Sequence, residues 1–338
     1  MILRFVLHAF VMSALKLTLA TSKLTENQSL TGNDTERTLS NGYRIFKGVI
    51  AEDHAYPWQV QIHKPEKNGI PELGGGTIIC PRYVMTAYHC VAYRTGKKAG
   101  RMLTKKDQKR ILVYVGTNRL SQGKRYKVGR AIKHPNAFWE PPPEDKKLPQ
   151  ISKLLFDYAI LELTRPIRTS PGPRPDTMPI YLPEKHDLNK IQTGTKFAAS
   201  GWGLTENSNN RPPNKLHVVT LEQLPPYGQP GGCPEPPAAI RDELCLGHDG
   251  KGICGGDSGG PLAWIDLKTS KKEVKLIAVA SKAKKCNVHG YRSFFSPVPL
   301  VVGWINKVTG SCNRNVCRKS LCMTKNKLKP QALAMLGG

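Results

Sequence analysis

An all-β fold is what this sequence predicts, on two observations. Many short apolar runs with strand character are separated by turns of Gly, Pro and Asn. At 39% hydrophobic residues over 338 positions, the chain can also bury a sizeable core, as one large domain or two packed halves.

The chain begins with an early Arg4, an apolar run from Val6 to Leu19, and the small-residue site Thr18-Leu19-Ala20. Residues 1–20 therefore read as a secretory signal. A membrane anchor is the alternative, disfavoured because the run is short and carries Lys16. No later stretch is long or apolar enough to span a bilayer, so an exported protein with no membrane span is expected, its cysteines in an oxidising compartment. Residues 21–43 are polar and lack periodicity, and two glycosylation sequons begin at Asn27 and Asn33. This spacer ends at the Arg44-Ile45 bond. Cleavage after Arg44 by an activating protease would create an ammonium group at Ile45, useful where a buried carboxylate waits for it.

Such a carboxylate stands in Gly252-Ile253-Cys254-Gly255-Gly256-Asp257-Ser258-Gly259-Gly260-Pro261. Backbone without Cβ atoms turns tightly and presents consecutive N–H groups, so Gly256 and Ser258 are candidate donors to an oxyanion. Ser258 is the candidate nucleophile and requires a base and a group to orient that base. His89, on a small-residue turn after two short apolar strands, is the candidate base. Asp157, at the head of the apolar strand Ala159-Ile160-Leu161-Glu162-Leu163, is the candidate orienting acid.

Taken in order, Arg44-Ile45, Thr86-Ala87-Tyr88-His89-Cys90, Asp157-Tyr158-Ala159-Ile160 and Gly256-Asp257-Ser258-Gly259-Gly260-Pro261 resemble the chymotrypsin/trypsin family of serine endopeptidases. Ser200-Gly201-Trp202-Gly203 and the closing Val301-Val302-Gly303-Trp304-Ile305 extend the resemblance. It implies two packed six-stranded antiparallel β-barrels with a C-terminal helix, over residues 45–310, preceded by a signal peptide (1–20) and propeptide (21–44). It also implies two disulfides, Cys233–Cys245 and Cys254–Cys286. Acyl transfer through His89, Asp157 and Ser258 needs no cofactor and no metal.

The sequence departs from the family pattern at four places. Phe46 and Lys47 follow Ile45 where Val-Gly is usual, and Gly74 stands where a cysteine is usual, which deprives Cys90 of its normal partner. Tyr88 replaces an alanine, its ring either narrowing the cleft or folding against the barrel. Six residues before the nucleophile, Gly252 replaces the acid of trypsin-like members. With Ile253, Ser281, Ala283 and Ser293 it outlines a pocket for a small or medium apolar side chain; a one-residue shift would bring in Asp249 or Lys251.

Lys and Arg outnumber Asp and Glu by 51 to 25, a net charge of +26 that favours acidic surfaces. Export and the lack of any aromatic-interleaved basic motif argue against nucleic acid. A glycosaminoglycan or other polyanion ranks first beside protein or peptide substrate. The loop Arg94 to Arg110 concentrates this charge, as a solvated loop or as an exosite. Nine cysteines leave at least one thiol free or intermolecular, with Cys312, Cys317 and Cys322 candidates to reach Cys80 or Cys90. The basic segment 311–338, with its short Ala/Leu run, is expected to be disordered beyond Cys312. The reading is a zymogen of a serine endopeptidase; its rival is a noncatalytic homologue that binds a polyanion or a protein.

Overall fold

The computed structural model describes residues 47–337 apart from 66–70, 95, 141–152, 170–174, 206–210, 234–242, 248–249, 268–269, 271 and 284–291. The signal segment, both sequons, Arg44, Ile45, Asp249 and Cys286 lie outside the described residues.

The chain enters through β1 (Val49–Ile50) and then builds a first barrel. Its strands are β2 (Gln59–Lys64), β3 (Glu72–Cys80), β4 (Tyr83–Thr86), β5 (Leu112–Val115) and β6 (Lys124–Lys133). A hairpin of β7 (Phe138–Glu140) and β8 (Lys153–Leu155) intervenes before β9 (Ala159–Leu163) closes the ring, in the order β2-β3-β4-β9-β6-β5. The second barrel comprises β10 (Lys196–Gly201), β11 (His217–Gln223), β12 (Leu244–Gly247), β13 (Pro261–Ile265), β14 (Val274–Ala283) and β15 (Ser293–Pro297). Their order is β11-β10-β13-β14-β15-β12, closed by pairing of β12 with β11, while β1 adds to the outside of β11. Among the described residues all pairings between these strands are antiparallel, as expected for two six-stranded barrels.

The strands are apolar because a barrel buries one face in its own interior and, here, part of the other against its neighbour. Val60, Ile62, Val84, Val113, Val128 and Leu161 fill the first barrel; Phe197, Leu221, Leu246, Leu262 and Phe295 fill the second. Trp58, Ile79, Tyr158, Trp202, Leu216 and Leu276 belong to a third cluster that draws on both barrels. Polar bonds cross at the same level: Tyr158 Oη donates to the Pro297 carbonyl (2.8 Å), Trp202 Nε1 to that of Asn118 (3.1 Å) and Ser200 Oγ to Gln59 Oε1 (2.7 Å). The barrels meet closely where a Cβ on Gly75 would lie 2.7 Å from Gly260 Cα, and a Cβ on Gly260 would lie 2.8 Å from the Asp257 carbonyl oxygen, so both positions require glycine.

After the short helix α1 (Lys105–Gln108), the C-terminal helix is present as α2 (Val302–Thr309), closed by Gly310 in the left-handed conformation (φ 60°). The expected disorder beyond it is not found. Helices α3 (Cys312–Arg318) and α4 (Pro330–Met335) fold back onto the body. Cys312 is bonded to Cys80, and Cys317 to Cys322. Asn313, 4% exposed, donates to the carbonyls of Ile79 (2.6 Å) and Ile180 (2.8 Å) and accepts from Leu182 N (3.2 Å). Gln331 bonds Glu52 N and the Ile50 carbonyl, and Thr220 Oγ1 donates to the Met335 carbonyl. A basic composition suggested solvation, but charges at one edge leave the apolar Ala332, Met335 and Leu336 free to join the inter-barrel cluster. Among the described residues no helix is long and apolar enough to cross a membrane.

Candidate functional site

His89 opens a short 3-10 turn, His89–Val91, just after β4. Its backbone N–H donates to Asp157 Oδ1 (3.0 Å) and its Nδ1 lies 2.8 Å from Asp157 Oδ2. Two contacts to one carboxylate fix both the main chain and the ring, which places the proton on Nδ1 and leaves Nε2 as the acceptor. Asp157 is 1% exposed and also accepts from Ser281 Oγ (2.7 Å), at the end of β14. Expected in the pocket wall, Ser281 also braces the carboxylate from the second barrel with its hydroxyl. Preceding Asp157, Phe156 adopts a left-handed conformation (φ 46°), costly for a bulky residue, and stacks on His134 at 5.0 Å. That local kink turns the acid inward, ahead of the regular strand.

Burial works against a charge on His89, but the Asp157 carboxylate and the Cys90 sulfur, through charge and hydrogen bonding, outweigh it and hold the imidazole well above the usual histidine value. A third neighbour, outside the candidate site residues of the sequence, is Trp139, on β7. Its ring meets His89 edge-on, with centroids 5.8 Å apart. Tyr88 folds against the barrel: it is buried, its hydroxyl donates to the Gly100 carbonyl (3.0 Å), and Lys133 Nζ sits 5.4 Å from its ring centroid. Of the two arrangements the sequence allows for this residue, packing against the barrel is the one found.

Ser258 lies on the glycine turn between Cys254 and β13, with its carbonyl accepting from Gly75 N (2.7 Å). The Cys90 thiol donates to the same carbonyl (3.4 Å), and its sulfur is 3.7 Å from His89 Nε2, so the nucleophile segment and the base meet around Cys90. Cys90 is a free, buried cysteine. A Cβ on Gly74 would lie 3.3 Å from its sulfur, as the missing partner implies. Gly256 has φ 100°, and among the described residues neither its N–H nor that of Ser258 donates to a protein acceptor. Two such amides on one turn can hold an oxyanion.

Asp257, 1% exposed, accepts from Gly203 N (2.7 Å) and Cys254 N (2.8 Å). Burial pushes its carboxyl up to about 7, against the lowering effect of those two bonds. Around the expected pocket, Gly252 and Ile253 are buried, and Ile253 N donates to the Ser293 hydroxyl (3.0 Å). Ser293 is itself fully buried, and the half-buried Ala283 packs against the second-barrel cluster to which Ile253 belongs. Lys251 is half-buried beside them. Cys233 is bonded to Cys245, and Cys254 is in a disulfide whose expected partner, Cys286, is not among the described residues. Among the described residues no cluster of three or more His, Cys, Asp or Glu is arranged to hold a metal ion.

Two closed antiparallel barrels, with a histidine-carboxylate pair from the first facing a Gly-Asp-Ser-Gly-Gly turn of the second, define the architecture of a serine protease. The family model described as Trypsin matches residues 45–305, and the chain belongs to the trypsin family. It is 28% identical over 274 residues to the clotting factor G beta subunit of Tachypleus tridentatus, covering 79% of this chain and 80% of that protein. Identity to trypsin 5G1 of Aedes aegypti is 27% over 285 residues, covering 80% of this chain and 87% of that one. A match to the complement C1s subcomponent of Rattus norvegicus is 28% identical over 278 residues, covering 78% of this chain but 35% of that longer protein.

Proposed function

We propose that the chain is an exported zymogen whose form cleaved after Arg44 is a serine endopeptidase. Residues 1–20 act as the signal peptide, 21–44 as the propeptide, and 45–310 as the catalytic domain. The observation that supports this best is the bonded set His89, Asp157 and Ser281, lying against the Ser258 turn. In the proposed reaction His89 Nε2 takes the Ser258 proton as Oγ attacks the peptide carbonyl, then returns it to the leaving amine, and water repeats the sequence on the acyl-enzyme. Asp157 orients His89 and stabilises the imidazolium, while the Gly256 and Ser258 amides hold the oxyanion.

The zymogen reading draws on Asp257, a buried carboxylate with no cation against it among the described residues. The ammonium of a freed Ile45 is the partner it calls for. The buried Ile253 and Ser293 and the half-buried Ala283 favour cleavage after small or medium apolar residues, which makes an enzyme of other specificity the activator at Arg44. Labelling with a fluorophosphonate probe before and after cleavage at Arg44 tests the reading, with Ser258→Ala as control. Labelling confined to the cleaved, unsubstituted protein is the expected result. Its absence from folded, correctly cleaved protein would refute catalysis and leave a noncatalytic binding protein.

A further inference from the structure

We infer that loop 94–110 and the adjoining outer face of β6 form a docking surface for a linear sulfated polysaccharide. The loop carries Arg94, Lys97, Lys98, Arg101, Lys105, Lys106, Lys109 and Arg110 against the single acid Asp107. It is a built element. Tyr93 N and the Leu103 N donate to the Arg101 and Val91 carbonyls, and Ala92 bridges to Met102. Residues Lys105–Gln108 form the short helix α1, capped by the Thr104 hydroxyl. Gln108, buried, donates to the Leu103 carbonyl (2.7 Å) and accepts from Ala131 N (3.0 Å), which locks the loop onto β6. Lys105, Lys106 and Lys109 flank that anchor and are exposed.

Asp107 is neutralised from within, by the Tyr93 and Thr104 hydroxyls and by Arg110 at 3.6 Å. Arg94 is taken by Glu72, at 3.5 Å. Lys97, Lys98, Arg101, Lys105, Lys106 and Lys109 make no ion pair among the described residues. On β6, exposed Arg125 and Lys127 continue the surface, Lys127 facing Leu112, two residues beyond Arg110. Arg165 lies over the Tyr126 ring (4.7 Å) and donates to the Arg125 carbonyl. Unpaired cations release counterions when they meet a polyanion, and a loop whose backbone is already anchored has less ordering entropy to lose.

Two features choose among polyanions. None of the exposed large apolar side chains lies in the loop or on β6, so no wedge is offered to a bilayer. Tyr93 is half-buried and tied to Asp107, and Tyr126 is buried, so no aromatic face is offered to bases. A sulfated polysaccharide needs neither. The surface adjoins the base, because the Tyr88 hydroxyl holds Gly100 one residue before His89. Bound polysaccharide therefore tethers the protein with its cleft near the chain, whatever the reactivity of Ser258.

Retention of the full chain on immobilised heparin tests this. The unsubstituted protein should bind at about 0.15 M NaCl. The variant Lys105→Glu/Lys106→Glu/Lys109→Glu should lose at least about tenfold in affinity, while Lys307→Glu/Arg318→Glu/Lys319→Glu, with the same change in charge, should stay within about twofold. Melting curves confirm that each variant is folded. Arg125→Gln/Lys127→Gln, outside the loop, should also weaken binding and serves if the first variant does not fold. Equal losses in the loop and control variants would overturn the proposal in favour of net charge alone. Failure of the unsubstituted protein to bind heparin, or binding only to phosphatidylserine vesicles, would overturn it as well.

Discussion

Cys90 Sγ lies 3.7 Å from His89 Nε2, so a thiol outside any disulfide stands beside the nitrogen that would receive the Ser258 proton. The sulfur also faces Gly74, where a Cβ would lie 3.3 Å away. Gly74→Cys should therefore close a disulfide with Cys90. Closing a loop of this length stabilises by about 3 kcal/mol in the chain-entropy picture. A count of reactive thiols in the unfolded, unreduced variant should find none from this pair. Two reactive thiols would mean that the sulfur points elsewhere.

A second expectation concerns pH. Proton acceptance needs neutral His89, and its neighbours hold the imidazole well above the ordinary value, with Asp157 chief among those that raise it. The labelling rate of Ser258 in the cleaved protein should rise with pH through a midpoint above about 6.5. Asp157→Asn should move that midpoint down and slow labelling by about 10⁴-fold. Ser281→Ala removes one bond to a charged group, worth about 1.5–3 kcal/mol, and should slow labelling by about 10- to 100-fold. A profile for Ser281→Ala identical to that of the parent would show that this hydroxyl does not position the acid. For stability, the raised histidine value contributes fully at acid pH and is lost as pH rises through the folded value.

Asp257 carries the opposite sign from an ordinary paired carboxylate. Its folded value is raised to about 7 by burial, so the uncleaved chain holds a proton there that the unfolded chain gives up. Stability from this group is present at acid pH and is lost as pH rises to about 7, a difference of about 4 kcal/mol in the limit. Asp257→Asn should flatten that dependence in urea unfolding of the uncleaved chain. In the cleaved chain the same variant should abolish labelling, since the new ammonium would find no partner. An unchanged pH dependence would show that Asp257 does not titrate there.

Asn313 ties the tail to β3 and to the connection between the barrels through three bonds. Asn313→Ala leaves buried carbonyls unmet at Ile79 and Ile180, and should cost about 3 kcal/mol in urea unfolding. A loss under about 0.5 kcal/mol, the range of an ordinary surface substitution, would mean that the tail is dispensable.

Much of the architecture was legible along the chain, because turns are local. Gly, Pro and Asn mark where strands end; the two apolar runs before His89 became β3 and β4, and Ala159–Leu163 became β9. His89 and Asp157 stood out because each lies at the margin of a strand in a run of small or apolar neighbours. Their mutual bond, and its reinforcement by Ser281 from a strand more than a hundred residues later, depends on how the barrels face each other.

By itself the sequence determined the all-β class, the turn that carries Ser258, and the concentration of positive charge in loop 94–110. It also required that an odd number of cysteines leave a thiol over. Only the tertiary structure decided which thiol that was, what Ser281 and Trp139 touch, and that the basic tail is folded. The physical reason is range. Turn geometry and strand periodicity act over a few residues, whereas a shared sulfur, carboxylate or apolar cluster joins residues that only barrel closure and packing bring within contact.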